Sequence, residues 1–253
     1  MRLILAIIRW FFAPRWRRGK LILAVLLVFG AGFALQRGTV WWSILRDPRN
    51  QDFATWAGNN SAEKASLITV QRTPCPGAPF ILPTDGFIGL LYSDPRGPYS
   101  ASRRHQGIDI FTDLAPGQQP IYAAYDGYIT READWTSTVI QRVPGDPLNP
   151  DQQIWIYYTH MADEDGNDFI EPAFERGTRE LFVEQGTLLG YVGNFDGNKP
   201  SRIWTHLHLS VVQDNNGLYA NEYYIDNTLD PSPYLGIDVN YASAEAGAAT
   251  CRE

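Results

Sequence analysis

Basic residues are scarce over most of this chain. Of its 21 Lys and Arg, nine fall within the first fifty residues (Arg2, Arg9, Arg15, Arg17, Arg18, Lys20, Arg37, Arg46, Arg49) beside one acid, Asp47. That leaves 12 basic against 27 acidic residues in the remainder. An acidic body of this kind counts against a nucleic-acid partner. There is no internal repeat, no low-complexity tract and no sustained heptad, so no coiled-coil arm is expected. Charged residues make up 19% of the 253-residue chain and hydrophobic ones 44%, which excludes wholesale disorder and allows a buried core. With 22 glycines, 17 prolines and 13% aromatics, the composition favours turns and β-structure over a helical bundle. The length fits one sizeable domain with appendages.

Long apolar runs are also few. Leu21 to Gln36 is an uncharged stretch of 16 residues. As a helix it spans about 24 Å, just short of the hydrocarbon core of about 30 Å, with Lys20 and Arg37 placed to snorkel. Trp41 and Trp42 suit an interfacial belt. The cluster Arg15, Arg17, Arg18 and Lys20 precedes the run, so the positive-inside rule places residues 1–20 in the cytoplasm and exports the body. Leu3 to Pro14 is interrupted by Arg9 and reads as interfacial. The long basic leader favours an uncleaved anchor over a cleaved signal peptide, for which Gly32-Phe33-Ala34 is only a weak site. The two cysteines, Cys75 and Cys251, bracket nearly the whole body. Outside the cytoplasm a disulfide between them is allowed.

Five segments follow: a basic leader (1–20), a transmembrane anchor (21–36), a connector with room for a short helix (37–79), a β-rich domain (80–236) and a flexible tail (237–253). The domain contains the runs FIGLLY, QGIDIFT, PIYAAYDGYIT, STVIQRV, QIWIYYTHM, TLLGYVG and IWTHLHLSVV. They are rich in Ile, Val, Tyr, Thr and Trp and are separated by Gly, Pro, Asp and Asn. This predicts a mainly β domain with antiparallel strands. A short helix is expected near Ala173 to Leu181, after the acidic stretch Ala162 to Phe169.

Histidine is limited to four residues, His105, His160, His206 and His208, all in the β-rich part. On a strand, His206 and His208 project to one side while Leu207 and Leu209 face the core. Gly107 lets His105 and Asp109 converge through a tight turn. Imidazoles with a carboxylate suit zinc, and a catalytic zinc takes three protein ligands and one water. More candidates are present than ligand positions, which leaves histidines over for proton transfer.

The motifs RRHQGIDI, PIYAAYDGYIT, YYTHM, LLGYVGN and HLHLSV, in that order, resemble the lysostaphin-type zinc metallopeptidases of bacterial cell walls, over about residues 80–236. The resemblance implies a small antiparallel domain related to the duplicated hybrid motif. It also implies one zinc held by His105, Asp109 and His208, with His160 and His206 as catalytic histidines and Tyr99 as a donor to the transition state. The implied substrate is the cross-linking or stem peptide of peptidoglycan, and the implied location is the outer side of a bacterial cytoplasmic membrane. Three departures concern the groove more than the metal. His208 is followed by Leu209 and Ser210, the approach to the pair reads NKPSRIWTH, and His160 lies 46 residues before His206. Two other readings compete: a wall-peptide-binding regulator that activates another hydrolase, and a non-haem Fe(II) oxygenase built on two His and one Asp. Trp135, Trp155 and Trp204 are candidates for the groove or the core.

Overall fold

The computed structural model describes residues 46–201 and 203–252. The predicted anchor at 21–36 and its leader lie outside them. Among the described residues no helix is long and apolar enough to cross a membrane. Pro48–Glu253 forms one unit; the other, Met1–Asp47, lies outside the described residues apart from Arg46 and Asp47.

Helices α1 (Arg49–Ala57) and α2 (Ser61–Ala65) lead into strand β1 (Ile68–Thr69). Next come β2 (Gly86–Leu90), β3 (Ile108–Phe111), β4 (Pro120–Tyr122), β5 (Gly127–Thr130), β6 (Val139–Val143) and β7 (Ile154–Thr159). A 3-10 turn (Pro172–Phe174), β8 (Leu181–Val183), β9 (Leu188–Tyr191) and the long β10 (His206–Asn215) follow. The chain closes with β11 (Leu218–Tyr219), β12 (Thr228–Leu229) and α3 (Ser232–Leu235). The main sheet runs β1-β2-β3-β10-β7-β6-β5-β8, with β11 and β12 also on β10 and with β4-β9 as a separate pair. Every strand pairing is antiparallel, as the runs of β-branched and aromatic residues predict.

β10 is the axis of this arrangement. It pairs His206 to Leu209 with β3 and His208 to Gln213 with β7. Alternation gives it two different faces. Leu207, Leu209 and Val211 enter a core with Ile108, Ile110, Ile121, Ile156, Tyr158 and Leu189. His206, His208 and Ser210 take the other face. Tyr158 is buried without an orphaned hydroxyl, because it accepts from the Ala124 amide at 2.9 Å and donates to Gln141 at 2.7 Å.

Three expectations need correction. The span Ala173–Leu181 holds only the end of the 3-10 turn, which stops at Phe174 because Glu175 takes an extended conformation with a ψ of 162°. The domain does not begin at Phe80. α1 packs Phe53 and Trp56 on Phe87 and Phe111, so much of the connector belongs to the body. The tail is also tied down. Cys251 is disulfide-bonded to Cys75, Arg49 reaches the Tyr241 and Ala244 carbonyls, and Asp52 accepts from the Gly247 amide at 2.9 Å.

Candidate metal centre

His105 precedes β3, and Asp109 lies on it opposite His208. Gly107, between them, is needed for close approach rather than for a turn. A Cβ there would stand 2.1 Å from the Leu209 carbonyl oxygen and 2.5 Å from Ser210 Oγ. Bare backbone therefore lets the start of β3 lie flat on β10, bringing His105 over His208.

His105 Nε2 lies 3.0 Å from His208 Nδ1, His208 Nδ1 lies 2.8 Å from Asp109 Oδ1, and His105 Nε2 lies 3.2 Å from the same oxygen. Three donor atoms on a tetrahedral ion with bonds of about 2.0–2.1 Å would stand roughly 3.3 Å apart, so the triangle is close to that size. All three side chains are buried. The second nitrogen of each imidazole is engaged. His105 Nδ1–H donates to the Leu91 carbonyl at 3.0 Å, and His208 Nε2 lies 2.9 Å from Ser210 Oγ. These contacts occupy the outer nitrogens and leave Nε2 of His105 and Nδ1 of His208 turned toward Asp109, which is the support a metal-binding histidine needs. Burial pushes the Asp109 carboxyl up, but the imidazoles of His105, His206 and His208 beside it outweigh that effect. The group is held well below the ordinary carboxylate range. Two imidazoles, one carboxylate and no fourth protein donor fit an open zinc site.

The other two histidines flank this triangle. His206 Nδ1–H donates to the Trp204 carbonyl at 2.7 Å, and its Nε2 lies 3.8 Å from Asp109 Oδ1. His160 Nδ1–H donates to the Phe195 carbonyl at 2.6 Å, and its ring lies 4.5 Å from that of His206. His160 has a φ of 71°, an uncommon conformation for a side chain with a Cβ. It lies just past the end of β7. Burial lowers the pKa of both rings. His160 falls to about 3, with His206 and His208 adding to the effect; on His206 the Asp109 charge opposes it. Both imidazoles are thus neutral at ordinary pH, with Nε2 unprotonated.

Tyr99 stacks on His105, with ring centroids 4.5 Å apart. Burial, reinforced by the Asp109 charge, raises its hydroxyl above the ordinary range, so it stays a donor. Among the described tryptophans only Trp204 is largely exposed, and it stands edge-on to Phe111 at 6.0 Å. Trp155 is core, and Trp135 packs edge-on to Tyr219. The acidic stretch 162–169 folds on itself, Asp163 accepting from the Asp165 and Asn167 amides. Its root abuts Gly193, where a Cβ would meet the Ala162 carbonyl oxygen at 2.0 Å, and the Asn194 backbone amide donates to that carbonyl. The insertion thus adjoins the segment that holds His160 through Phe195.

The supporting groups were not foreseen. The carbonyls of Leu91, Phe195 and Trp204 carry no side-chain signal. Phe111, whose ring stacks on His206 at 4.9 Å, reads only as a strand aromatic. Ser210 had a signal, since it lies two residues beyond His208 and so on the same strand face.

No family model matches the chain, and no curated protein matches it. Solved structures do. The catalytic domain of the antimicrobial peptidase lysostaphin from Staphylococcus simulans is 17% identical, with a TM-score of 0.37, over 58% of this chain and 88% of that one. Helicobacter pylori Csd3 is 17% identical, with a TM-score of 0.40, over 70% of this chain but only 38% of its own. The catalytic domain of the prophage-encoded M23 protein EnpA from Enterococcus faecalis, in variant form, is 23% identical, with a TM-score of 0.33, over 58% and 95%. Lysostaphin and the M23 protein EnpA are of the type that the motif order resembles. At such identities and TM-scores, the chemistry is read from the site itself.

Proposed function

We propose that this chain is a zinc metalloendopeptidase that hydrolyses peptide bonds in peptidoglycan, held by its N-terminal segment at the outer side of a bacterial cytoplasmic membrane. The supporting observation is the pairing of a buried three-donor triangle with two neutral imidazoles on its flank. His105, Asp109 and His208 would hold the ion. A bound zinc supplies a Lewis acid and a water acidic enough to deprotonate near neutral pH. Nε2 of His160 or His206 takes the proton of the attacking water. When the C–N bond breaks, the same nitrogen returns that proton to the leaving amine. The Trp204 and Phe195 carbonyls fix both rings in the tautomer this requires. The Tyr99 hydroxyl, held protonated, is a donor for the carbonyl oxygen as it gains charge.

The peptidoglycan substrate comes from the motif resemblance, and an exported domain meets that polymer directly. Export is supported by the basic leader and by the Cys75–Cys251 disulfide, which suits an oxidising compartment. The rival regulator reading is disfavoured by the presence of all five metal and histidine positions in one cluster.

The test is zinc-loaded protein incubated with murein, scored by new amino groups and by mass spectrometry of the products. Wild type is expected to release them. His206→Ala is expected to keep its zinc and release none, whereas His208→Ala and Asp109→Ala lose the ion. Wild type that binds zinc and wall peptides yet releases nothing would support the regulator instead. Protease shaving of spheroplasts carrying a C-terminal tag tests the export claim, which fails if the tag stays protected alongside a cytosolic control.

A further inference from the structure

Beside the metal triangle lies a polar cluster that hydrolysis does not use. Tyr157 lies on β7, on the same sheet face as the site, with its ring edge-on to His208 at 6.0 Å. Tyr219 stacks on Tyr157 at 6.3 Å, with the planes 15° apart. Glu222 accepts the Tyr219 hydroxyl and neighbours that of Tyr157, which also lies near the bonded pair Thr138 and Thr159. The loop carrying Glu222 is fastened across to the metal side, where Gln106 donates to the Tyr223 carbonyl at 2.8 Å. Glu222 therefore stands at one end of the site, next to the ring that borders His208.

The charge here is unbalanced. Among the described residues no Lys, Arg or His lies within ion-pair distance of Glu222, whereas Asp94, Asp168, Glu132 and Glu180 each have an arginine. The Tyr219 phenol satisfies part of the carboxylate and fixes its orientation, and Tyr157 lies beside it, but neither carries a counter-charge. A half-buried, oriented carboxylate with an aromatic wall is complementary to an ammonium group on an aliphatic stem.

We propose that Glu222, with Tyr157 and Tyr219, forms a subsite for a primary amine carried by the substrate peptide near the bond that is cut. Tyr157 links the subsite to the metal triangle, its ring 6.0 Å from that of His208. The proposal rests on the peptidase reading and names the class of substrate.

The experiment uses zinc-loaded protein and two versions of one wall-derived peptide, one with its side-chain amine free and one with it acetylated. For wild type, kcat/KM should favour the free amine by roughly tenfold or more, chiefly through KM, as expected for a charge-assisted bond. Glu222→Gln should bring the ratio close to one, and Glu222→Asp should keep part of it. Binding of both peptides is measured by calorimetry on the same proteins. If no peptide is cut, the peptidase reading fails, yet the binding ratio still decides the subsite. A wild-type ratio near one, or a ratio that Glu222→Gln leaves intact, overturns the proposal.

Discussion

Ser210 Oγ lies 2.9 Å from Nε2 of His208, while the other nitrogen of that ring faces Asp109 Oδ1 at 2.8 Å. The serine thus occupies the nitrogen of His208 that is turned away from Asp109. It is itself confined, because a Cβ on Gly107 would come within 2.5 Å of its Oγ. Ser210→Ala should weaken zinc binding by roughly 10–100-fold with the fold retained, the usual loss when the partner of a ligating histidine is removed. Chelator competition measures this directly. Unchanged affinity would mean that Ser210 merely fills space.

Acid should destabilise the metal-free domain in a defined window. His160 titrates near 3 when folded and near 6.5 when unfolded, and His206 is shifted in the same direction. Between those values the unfolded chain holds more protons, so stability falls as pH drops below about 6.5. Asp109 adds nothing in the upper part of this window, since its contribution is lost only as pH falls below the ordinary carboxylate value. His160→Asn, which keeps a donor for the Phe195 carbonyl, should flatten the slope by at most about 1.4 kcal/mol per pH unit. Urea titrations from pH 6.5 to 4.5 in the presence of chelator test it. An unchanged slope would show that His160 charges freely in the folded state.

The face that carries the histidines was readable because it follows strand periodicity. His206 and His208 alternate with Leu207 and Leu209 along β10, and the pattern alone assigns them to opposite faces. The groups that aim the histidines were not readable, because three of them are backbone carbonyls brought in by chain path. The domain edge at Phe80 was misplaced for a related reason. α1 reads RNQDFATWA, and only Phe53 and Trp56 mark its buried side. So few apolar positions give no periodic signal, and tertiary packing decides the element. The tail escaped notice because backbone groups and Cys251 attach it, while its side chains are mostly small and polar.

α1 has a consequence for the chemistry. Phe53 meets Phe111 edge-on at 5.8 Å, and Phe111 stacks on His206 at 4.9 Å. This helix therefore backs a proposed catalytic histidine. Phe53→Ala should lower kcat more than it alters KM, with zinc content unchanged. Its stability cost should fall below the roughly 3–5 kcal/mol of a fully buried Phe, since Phe53 is half-buried. Zinc per chain, steady-state kinetics and urea unfolding report these separately. A pure stability loss with normal kcat would reduce the helix to packing.

The disulfide completes the attachment of both chain ends. Cys75 and Cys251 are separated by 176 residues, yet their Cα atoms are 5.5 Å apart. Cys75 is buried against Gly236, where a Cβ would stand 2.6 Å from that of Cys75. Ile237 pairs with Cys251, and Arg252 binds Asp238. From there the chain runs back to Asp52 and Arg49 on α1, so the bond also secures the strap that holds this helix. Cross-linking a loop of this length restricts the unfolded chain strongly, and breaking it should cost about 2–5 kcal/mol. Replacing both cysteines by serine should lower the unfolding midpoint without removing zinc, because every proposed ligand lies between the two bridged positions. The proteolytic fragment expected first is the tail beyond Val239, followed by α1. Limited proteolysis with mass readout follows that order. Loss of zinc before loss of the tail would show instead that the bridge supports the metal triangle directly.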